Sequence, residues 1–420
     1  AGYFAVFKPW FDCDRRGLTV AVCNDKLPGT IYHLVFMSEI NQRFETLFGL
    51  PPEATYFSPG RVNLIGEHID YNGGCVMPVA VDRGNYFAVA ANDTGQLRVH
   101  SSLFEATVTL EPGELPTLKA RGHWSDYLVG MAQRLPLANP GQAGIDVLVV
   151  SDLAQNSGLS SSASFCVGFG FALAEQSNLD IDRVALALMA QSVENNFVGV
   201  NCGIMDQFAV AMGKQDHCIL LNCDTMEWEL QRMQLAGYQF VIVNSMVPRK
   251  LSGSNYNLRR SECQQALEIL QKDYPVDQLC ELSVEQVESC NGLHDFDVLR
   301  RRARHASSEN ARVLDSATAL REGNLDEFGS MMNASHDSLR DDYEVSCPEL
   351  DFLVDTARSF HGVLGSRMTG AGFGGCTVSL VESKSVPEFS AGLAQAYSLS
   401  MGREPEIIPV MPGDGVRRVE

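Results

Sequence analysis

Gly66 breaks a short apolar alternation, Val62, Leu64 and Ile65, and Arg61, Asn63, Glu67, His68, Asp70 and Asn72 crowd around the break in the stretch Ser58–Gly74, SPGRVNLIGEHIDYNGG. Apolar residues at period two bury one face of a short strand, and a glycine ends it. That sets Glu67, His68 and Asp70 at the mouth of the strand rather than in a core. Carboxylates beside an imidazole suit a polyhydroxyl ligand, because each hydroxyl needs both a donor and an acceptor and carboxylates accept strongly. An ordinary polar loop after a strand has the same composition, so the stretch alone leaves both readings open.

Two further segments carry chemistry. Gly158, Leu159, Ser160, Ser161, Ser162, Ala163 and Ser164 read GLSSSAS and precede a run of small and apolar residues, Phe165 to Ala174. Serine hydroxyls there are expected to cap the first turn of a helix, whose unpaired N–H groups and positive dipole end suit phosphate oxygens. No Gly-Lys-Ser/Thr follows, so this is not the usual phosphate loop, and a plain capped helix fits equally well. The third segment, Arg367 to Cys376, is RMTGAGFGGC, with glycines at 370, 372, 374 and 375 and a strand-like TVSLVE after it. Such a density of glycine allows close approach of backbone to backbone or ligand, as does a structural hairpin.

In this order and spacing the segments resemble the GHMP kinases, the small-molecule kinases that include galactokinase, homoserine kinase, mevalonate kinase and phosphomevalonate kinase. The likeness runs from about Phe44 to the C-terminus, and GRVNLIGEHIDYN at 60–72 is similar to the signature of the galactokinase branch. VENNFVGVNCGIMDQF at 193–208, SGSNYNLRR at 252–260 and SLRDDYEVSCPEL at 338–350 agree with it. The resemblance implies an α+β, two-lobed fold of mixed β-sheets and packed helices, with the active site in the cleft between lobes. It implies transfer of the γ-phosphate of ATP to the C1 hydroxyl of α-D-galactose, giving α-D-galactose 1-phosphate and ADP, in galactose metabolism. A kinase of N-acetylgalactosamine or another sugar is the alternative. So is a non-catalytic galactose sensor, although the sensor lacks two residues of a loop that Ser160–Ser164 keeps intact here.

Carried over residue by residue, Asp206 resembles the catalytic aspartate and Arg61 its cationic partner. Phosphoryl transfer needs an oriented hydroxyl and positive charge where the transition state spreads negative charge, and an adjacent arginine keeps a carboxylate ionised. Arg61, Glu67, His68, Asp70, Asp206 and Tyr256 match sugar contacts, with backbone help from Gly203. The expected state of His68 is a neutral ring held by a carboxylate. Residues 158–164 match the phosphate loop, and Trp124 resembles a tryptophan near adenine. Magnesium is implied with ATP, and Ser162 and Glu194 match its protein ligands. The family usually has proline and glycine in the loop where this chain has Ala154 and Asn156. Asparagine tolerates positive φ, and losing a proline is a change of under about 1 kcal/mol, so turnover rate rather than activity is put in doubt.

Composition limits the partners. The net charge is −20, which repels nucleic acid and anionic membranes, and no apolar stretch approaches the ~20 residues of a membrane span. ATP is an anion too, so the cations that matter must be local. Twelve irregularly spaced cysteines without CxxC pairs read as reduced thiols of a cytosolic protein, and the nine histidines form no zinc-type cluster. A monomer acting on small molecules in the cytoplasm is expected. Residues 1–36 lack the family likeness and stand as an extension or non-native segment, without the pattern of a signal peptide. A helix is expected from Met37, a first lobe over 37–225, and a second over 226–420 with the chain end returning to the first. Strands are expected at 86–91, 145–150, 218–221 and 240–243, and helices at 126–134, 184–196, 261–271, 309–321 and 349–359.

Overall fold

The computed structural model of the chain describes residues 29–135, 144–153, 158–247 and 252–419. They fall into two compact units divided after Pro51. The first holds helix α1 (Gly29–Phe48), closed by Gly49 at φ 82° and by a Phe44–Phe48 ring contact. The helix expected from Met37 therefore starts upstream of it. Ala154 and Asn156 lie outside the described residues.

In the second unit the strands are β1 (Ala54–Asn63), β2 (Cys75–Val76), β3 (Pro78–Asn92), β4 (Leu97–Ser101), β5 (Ala106–Leu110), β6 (Gly144–Ser151), β7 (His217–Asn222), β8 (Trp228–Arg232), β9 (Tyr238–Asn244), β10 (Val363–Thr369), β11 (Cys376–Glu382), β12 (Glu406–Val410) and β13 (Arg417–Arg418). The helices are α2 (Asp126–Arg134), α3 (Ser161–Gln176), α4 (Arg183–Val193), α5 (Met205–Met212), α6 (Ser252–Leu270), α7 (Val284–Ser289), α8 (Asp297–Glu322), α9 (Leu325–Asp341), α10 (Pro348–Arg358) and α11 (Val386–Met401). Three sheets result, ordered β13-β1-β3-β6-β4-β5, β10-β11-β9-β12 and β2-β7-β8. All pairings are antiparallel except β4 with β6. The chain end does return to the first sheet, as β13 beside β1. Residue 225, expected near a lobe boundary, lies in the turn joining β7 to β8.

All ten residues of β1 are buried, because the strand is covered at its edges by β3 and β13 and on one face by α3. α3 is apolar nearly all round, as a helix enclosed by other elements must be. Two expected helices begin well before their expected starts. α8 opens on DVLRRRAR, whose arginines hide the apolar period until they are seen paired; Arg302, 1% exposed, meets Glu262 and Glu344. α6 opens on the polar SGSNYN. The helix expected over 184–196 widens at Glu194 into a π-turn, Glu194–Val198.

Close approach of α3 to the first sheet depends on Gly168. A Cβ there would collide with the Phe87 ring and with Ser58 Cβ, both fixed in strands. Helix propensity would favour alanine by ~1 kcal/mol, but overpacking against a rigid sheet typically costs about 1–3 kcal/mol. Gly168→Ala is therefore expected to lower the melting temperature by several degrees, whereas Gly113→Ala, which faces open space, should leave it unchanged. Calorimetry on the two variants checks this, and equal melting temperatures would contradict it.

Candidate active site

A cavity of about 570 Å³ is lined by residues from all three segments singled out above, among them Arg61, Glu67, His68, Asp70, Gly158–Ser162, Gly203, Asp206, Tyr256 and Gly370. Its geometry starts in β1. The β1–β3 register slips between Pro59 and Arg61, and the irregularity lets Arg61 N donate to Leu159 O at 3.1 Å. A β-bulge of this kind re-aims a side chain, and here that side chain is the guanidinium. Arg61 Nε donates to Asp206 Oδ1 at 2.7 Å, Nη2 lies 2.6 Å from the same oxygen, and Nη1 donates to Gly158 O at 2.5 Å. Asp206 sits in the first turn of α5. One buried cation thus joins the first segment, the serine loop and the CGIMDQF helix.

The serines do not cap α3 as expected. Ser160 is at the N-cap position in left-handed conformation, φ 56°, with no side-chain bond to the helix, and donates instead to Asp206 Oδ2 at 2.5 Å. Gly158 to Ser162 line the cavity. Ala163 and Ser164 do not: both are buried, and Ser164 exchanges two bonds with Ser58 of β1, at 2.7 and 2.8 Å.

Glu67 joins the first segment to the third. It is 2% exposed, and its Oε1 accepts from Gly370 N at 2.7 Å and from Thr369 Oγ1 at 2.9 Å, with Arg367 Nη2 at 3.3 Å. Positive φ at Gly370, Gly372, Gly374 and Gly375 allows the third loop to fold over it. His68 is neutral, as expected, because burial pulls its pKa down to about 4. It is not held by a carboxylate, however, since Glu67 is committed to the glycine loop. His68 Nε2 donates to Ala371 O at 3.2 Å, a carbonyl that can only accept, so Nδ1 accepts from the Tyr71 hydroxyl at 2.7 Å. Tyr71 continues to the Tyr343 hydroxyl at 2.9 Å, and that to Cys263 Sγ at 3.1 Å. Tyr256 stands 5.5 Å from the His68 ring.

Asp70 opens onto the cavity but lies deep in the protein, against Gly203, where any Cβ would strike its carboxylate. Burial, then the charges of Asp206 and Glu67, push its pKa up to about 7. Glu194 behaves alike. Burial leads, with Asp206 adding, and it reaches about 7 although Gln207 Nε2 donates to it at 2.9 Å and Ser162 is hydrogen-bonded to it. A carboxylate and a hydroxyl side by side fit the oxygen preference of magnesium, which takes few protein ligands. Among the described residues no cluster of three or more His, Cys, Asp or Glu could hold a metal ion.

Trp124 is outside this cavity. It stacks on Phe104 at 5.3 Å and lines a neighbouring apolar recess of about 170 Å³, which shares Ser161 and Ser162 with the main cavity. The main residues missed by sequence reasoning were Tyr71, Tyr343, Cys263, Arg367 and Thr369. Their letters stand inside or beside the quoted motifs, but nothing in a one-dimensional pattern says that a tyrosine at 343 meets one at 71.

A galactokinase galactose-binding signature matches residues 42–91, and the N-terminal and C-terminal domains of GHMP kinases match 126–214 and 316–398. The galactokinase of Exiguobacterium sibiricum is 43% identical over 91% of this chain and 98% of its own length. That of Bacillus subtilis is 40% identical over 91% and 99%. The crystal structure of Lactococcus lactis galactokinase complexed with galactose superposes with a TM-score of 0.86 at 37% identity, covering 91% of this chain and all of that one, 100%. Methanococcus jannaschii mevalonate kinase, at 18% identity and a TM-score of 0.62 over 86% of this chain and 98% of that one, shares the fold.

The raised pKa of Asp70 makes a stability prediction. Its folded pKa, about 7, exceeds the ordinary carboxylate value of 3.8, so its contribution to stability is fully present below the ordinary value and is lost as pH rises through 7. Asp70→Asn is therefore expected to raise the melting temperature of the ligand-free protein at pH 8 by several degrees and by roughly half as much or less at pH 5, where only part of the window between the two pKa values has been crossed. Thermal scans at both pH values check the sign; a variant less stable at pH 8 than the parent would contradict it.

Proposed function

The chain belongs to the galactokinase family of the GHMP kinases, and from that premise we propose that Asp206 and Arg61 carry the phosphoryl transfer in the cavity described above. The enzyme transfers the γ-phosphate of ATP to the C1 hydroxyl of α-D-galactose, giving α-D-galactose 1-phosphate and ADP. The observation that supports the catalytic assignment most is the Arg61 bridge, which sets the carboxylate of Asp206 against the serine loop.

In this reading both Arg61 contacts fall on Asp206 Oδ1, and Oδ2 takes the substrate proton. The Ser160 hydroxyl, donating to Oδ2, marks the position from which a sugar hydroxyl would donate. As the C1 oxygen forms its bond to the γ-phosphorus, its proton passes to Asp206. The bond from that phosphorus to the β–γ bridging oxygen breaks, and its electron pair leaves with ADP. Arg61 pairs with Asp206 and lies beside the attacking oxygen. Glu67, His68, Asp70 and Tyr256, with the Gly203 backbone, would bind the sugar hydroxyls. Ser162 and Glu194 would hold a magnesium ion arriving with ATP, which supplies positive charge at the phosphates. Trp124 and Phe104 would flank the adenine, the recess next to Ser161 and Ser162 being the apolar one.

We place the lobe division near residue 225 and the enzyme in the cytoplasm as a monomer. The cysteines of the described residues are free thiols, which agrees with a reducing compartment.

Asp206→Asn and Arg61→Ala should each lower kcat at least ~100-fold, the usual scale for losing a general base or a charge stabiliser, with little change in circular dichroism. Coupled ADP-release kinetics measure this, and near-normal turnover of Asp206→Asn at pH 7 would remove that residue from the mechanism. Trp124→Ala should raise KM for ATP while sparing KM for galactose. A selective rise in the galactose value instead would move the base elsewhere.

A further inference from the structure

The loop from Gly66 to Cys75 is gripped from behind by one face of α8. Gly66 N donates to Glu309 Oε1 at 2.9 Å, His305 Nε2 donates to Glu67 O at 3.1 Å, and Cys75 N donates to Asn310 Oδ1 at 2.9 Å. The first two contacts clamp the backbone immediately on either side of the Glu67 side chain. The third closes the far end. We propose that His305 and Glu309, one turn apart on α8, are positioning residues that set the affinity for galactose without touching it. This rests on the reading that Glu67, His68 and Asp70 bind the sugar.

The loop needs such a grip, because two of its residues are in left-handed conformation: Gly66 at φ 96° and His68 at φ 64°. For a histidine that conformation is strained and persists only where the surroundings over-determine it. A small change of φ there would swing the imidazole and the following Asp70 relative to each other. The clamp is built from groups that simple packing would avoid. Glu309 and His305 are both 0% exposed, and burying ionisable groups is unfavourable unless every polar atom is engaged.

They are so engaged. Glu309 Oε1 also accepts from the Ser335 hydroxyl at 2.6 Å, and Oε2 accepts from Arg312 Nε at 2.8 Å. Burial would raise the Glu309 pKa, but the Arg312 guanidinium, with Arg367 farther off, holds it down at about 2, so it is a carboxylate throughout the working range. Because Glu67 O can only accept, the His305 proton is on Nε2, and Nδ1 accepts from the Ser338 hydroxyl at 2.9 Å. Burial keeps that ring neutral, its pKa pulled down to about 4. Val313, a further turn along α8, comes within 3.1 Å of where a Gly66 Cβ would stand, so the helix also fixes the turn sterically.

The test is steady-state kinetics on the full chain with His305→Leu, His305→Gln and, as reference, Asp70→Ala. His305→Leu is expected to raise KM for galactose about tenfold or more and to keep KM for ATP within about twofold, the signature of lost binding to one substrate. His305→Gln, whose amide can still donate to Glu67 O, should recover most of the loss. A merely structural role would lower the melting temperature without separating the two KM values. An unchanged galactose KM in a folded His305→Leu, parallel rises for both substrates, or no recovery with glutamine would each overturn the proposal. If His305→Leu does not fold, Ser338→Ala, which removes the hydroxyl that faces Nδ1 together with its longer 3.3 Å contact to Asp342 Oδ2, should still raise KM for galactose; no rise would overturn it equally. Asp70→Ala separates the two layers of inference. A wild-type galactose KM there sinks the sugar-loop reading and the clamp with it, while a raised value beside an unaffected His305→Leu sinks the clamp alone.

Discussion

A buried guanidinium must be paired, and the rest of this site is arranged by how Arg61 meets that demand. Removing its partner would strand a charge away from water, a loss on the scale of about 3–5 kcal/mol for a broken buried pair. Its three donors reach a helix-borne carboxylate and a loop carbonyl, so β1, α5 and the turn before α3 cannot move independently. The bulge at Gly60 makes this possible. A Cβ there would come within 2.8 Å of Leu159 O, which leaves no room for any other residue in that position. Backbone irregularity, glycine and charge pairing are here a single device.

The electrostatics of the cavity follow from the same economy of cations. Arg61 is the only arginine or lysine among the described residues that line it, whereas Glu67, Asp70 and Asp206 are all carboxylates. Glu194 lies just behind Ser162. Four acids around one base would repel a nucleotide outright if all were ionised. The upward shifts of Asp70 and Glu194 to about 7 relieve part of that repulsion, and both have burial as their first cause. Each is poised to change charge with modest changes in surroundings, including the arrival of a polyhydroxyl ligand or a divalent cation.

Much of this was legible in the sequence, and what was not has identifiable causes. β3, β6, β7, β9 and α2 followed from apolar periodicity because they are regular and half or fully buried. The starts of α6 and α8 were hidden because polar and basic residues there are satisfied by tertiary partners that a local pattern cannot display. In the site, Arg61, Asp206, Asp70 and Tyr256 could be picked out from motif and chemistry together, and all line the cavity. The capping role expected for the serines failed because Ser160 is in left-handed conformation and commits its hydroxyl to the Asp206 carboxylate, with no bond accepted from the backbone N–H groups of its own helix. The carboxylate partner expected for His68 failed for a topological reason: the third segment, far along the chain, claims Glu67 first.

The pairing of β13 with β1 places Tyr56 opposite Arg418 and Phe57 opposite Arg417, contacts between nearly opposite ends of the described chain. Long-range pairings of this kind form late, since their loop-closure entropy must be met before any bond rewards it. During synthesis β1 therefore waits with one edge bare while the rest of its sheet assembles, and a bare edge is a template for pairing with another molecule. The strand that aims Arg61 is thus sealed last. Trimming a few residues near 418 would unmask amides and carbonyls at Tyr56 and Phe57, close to the bulge at Gly60, so β13 closes an edge that would otherwise be open to pairing with another molecule.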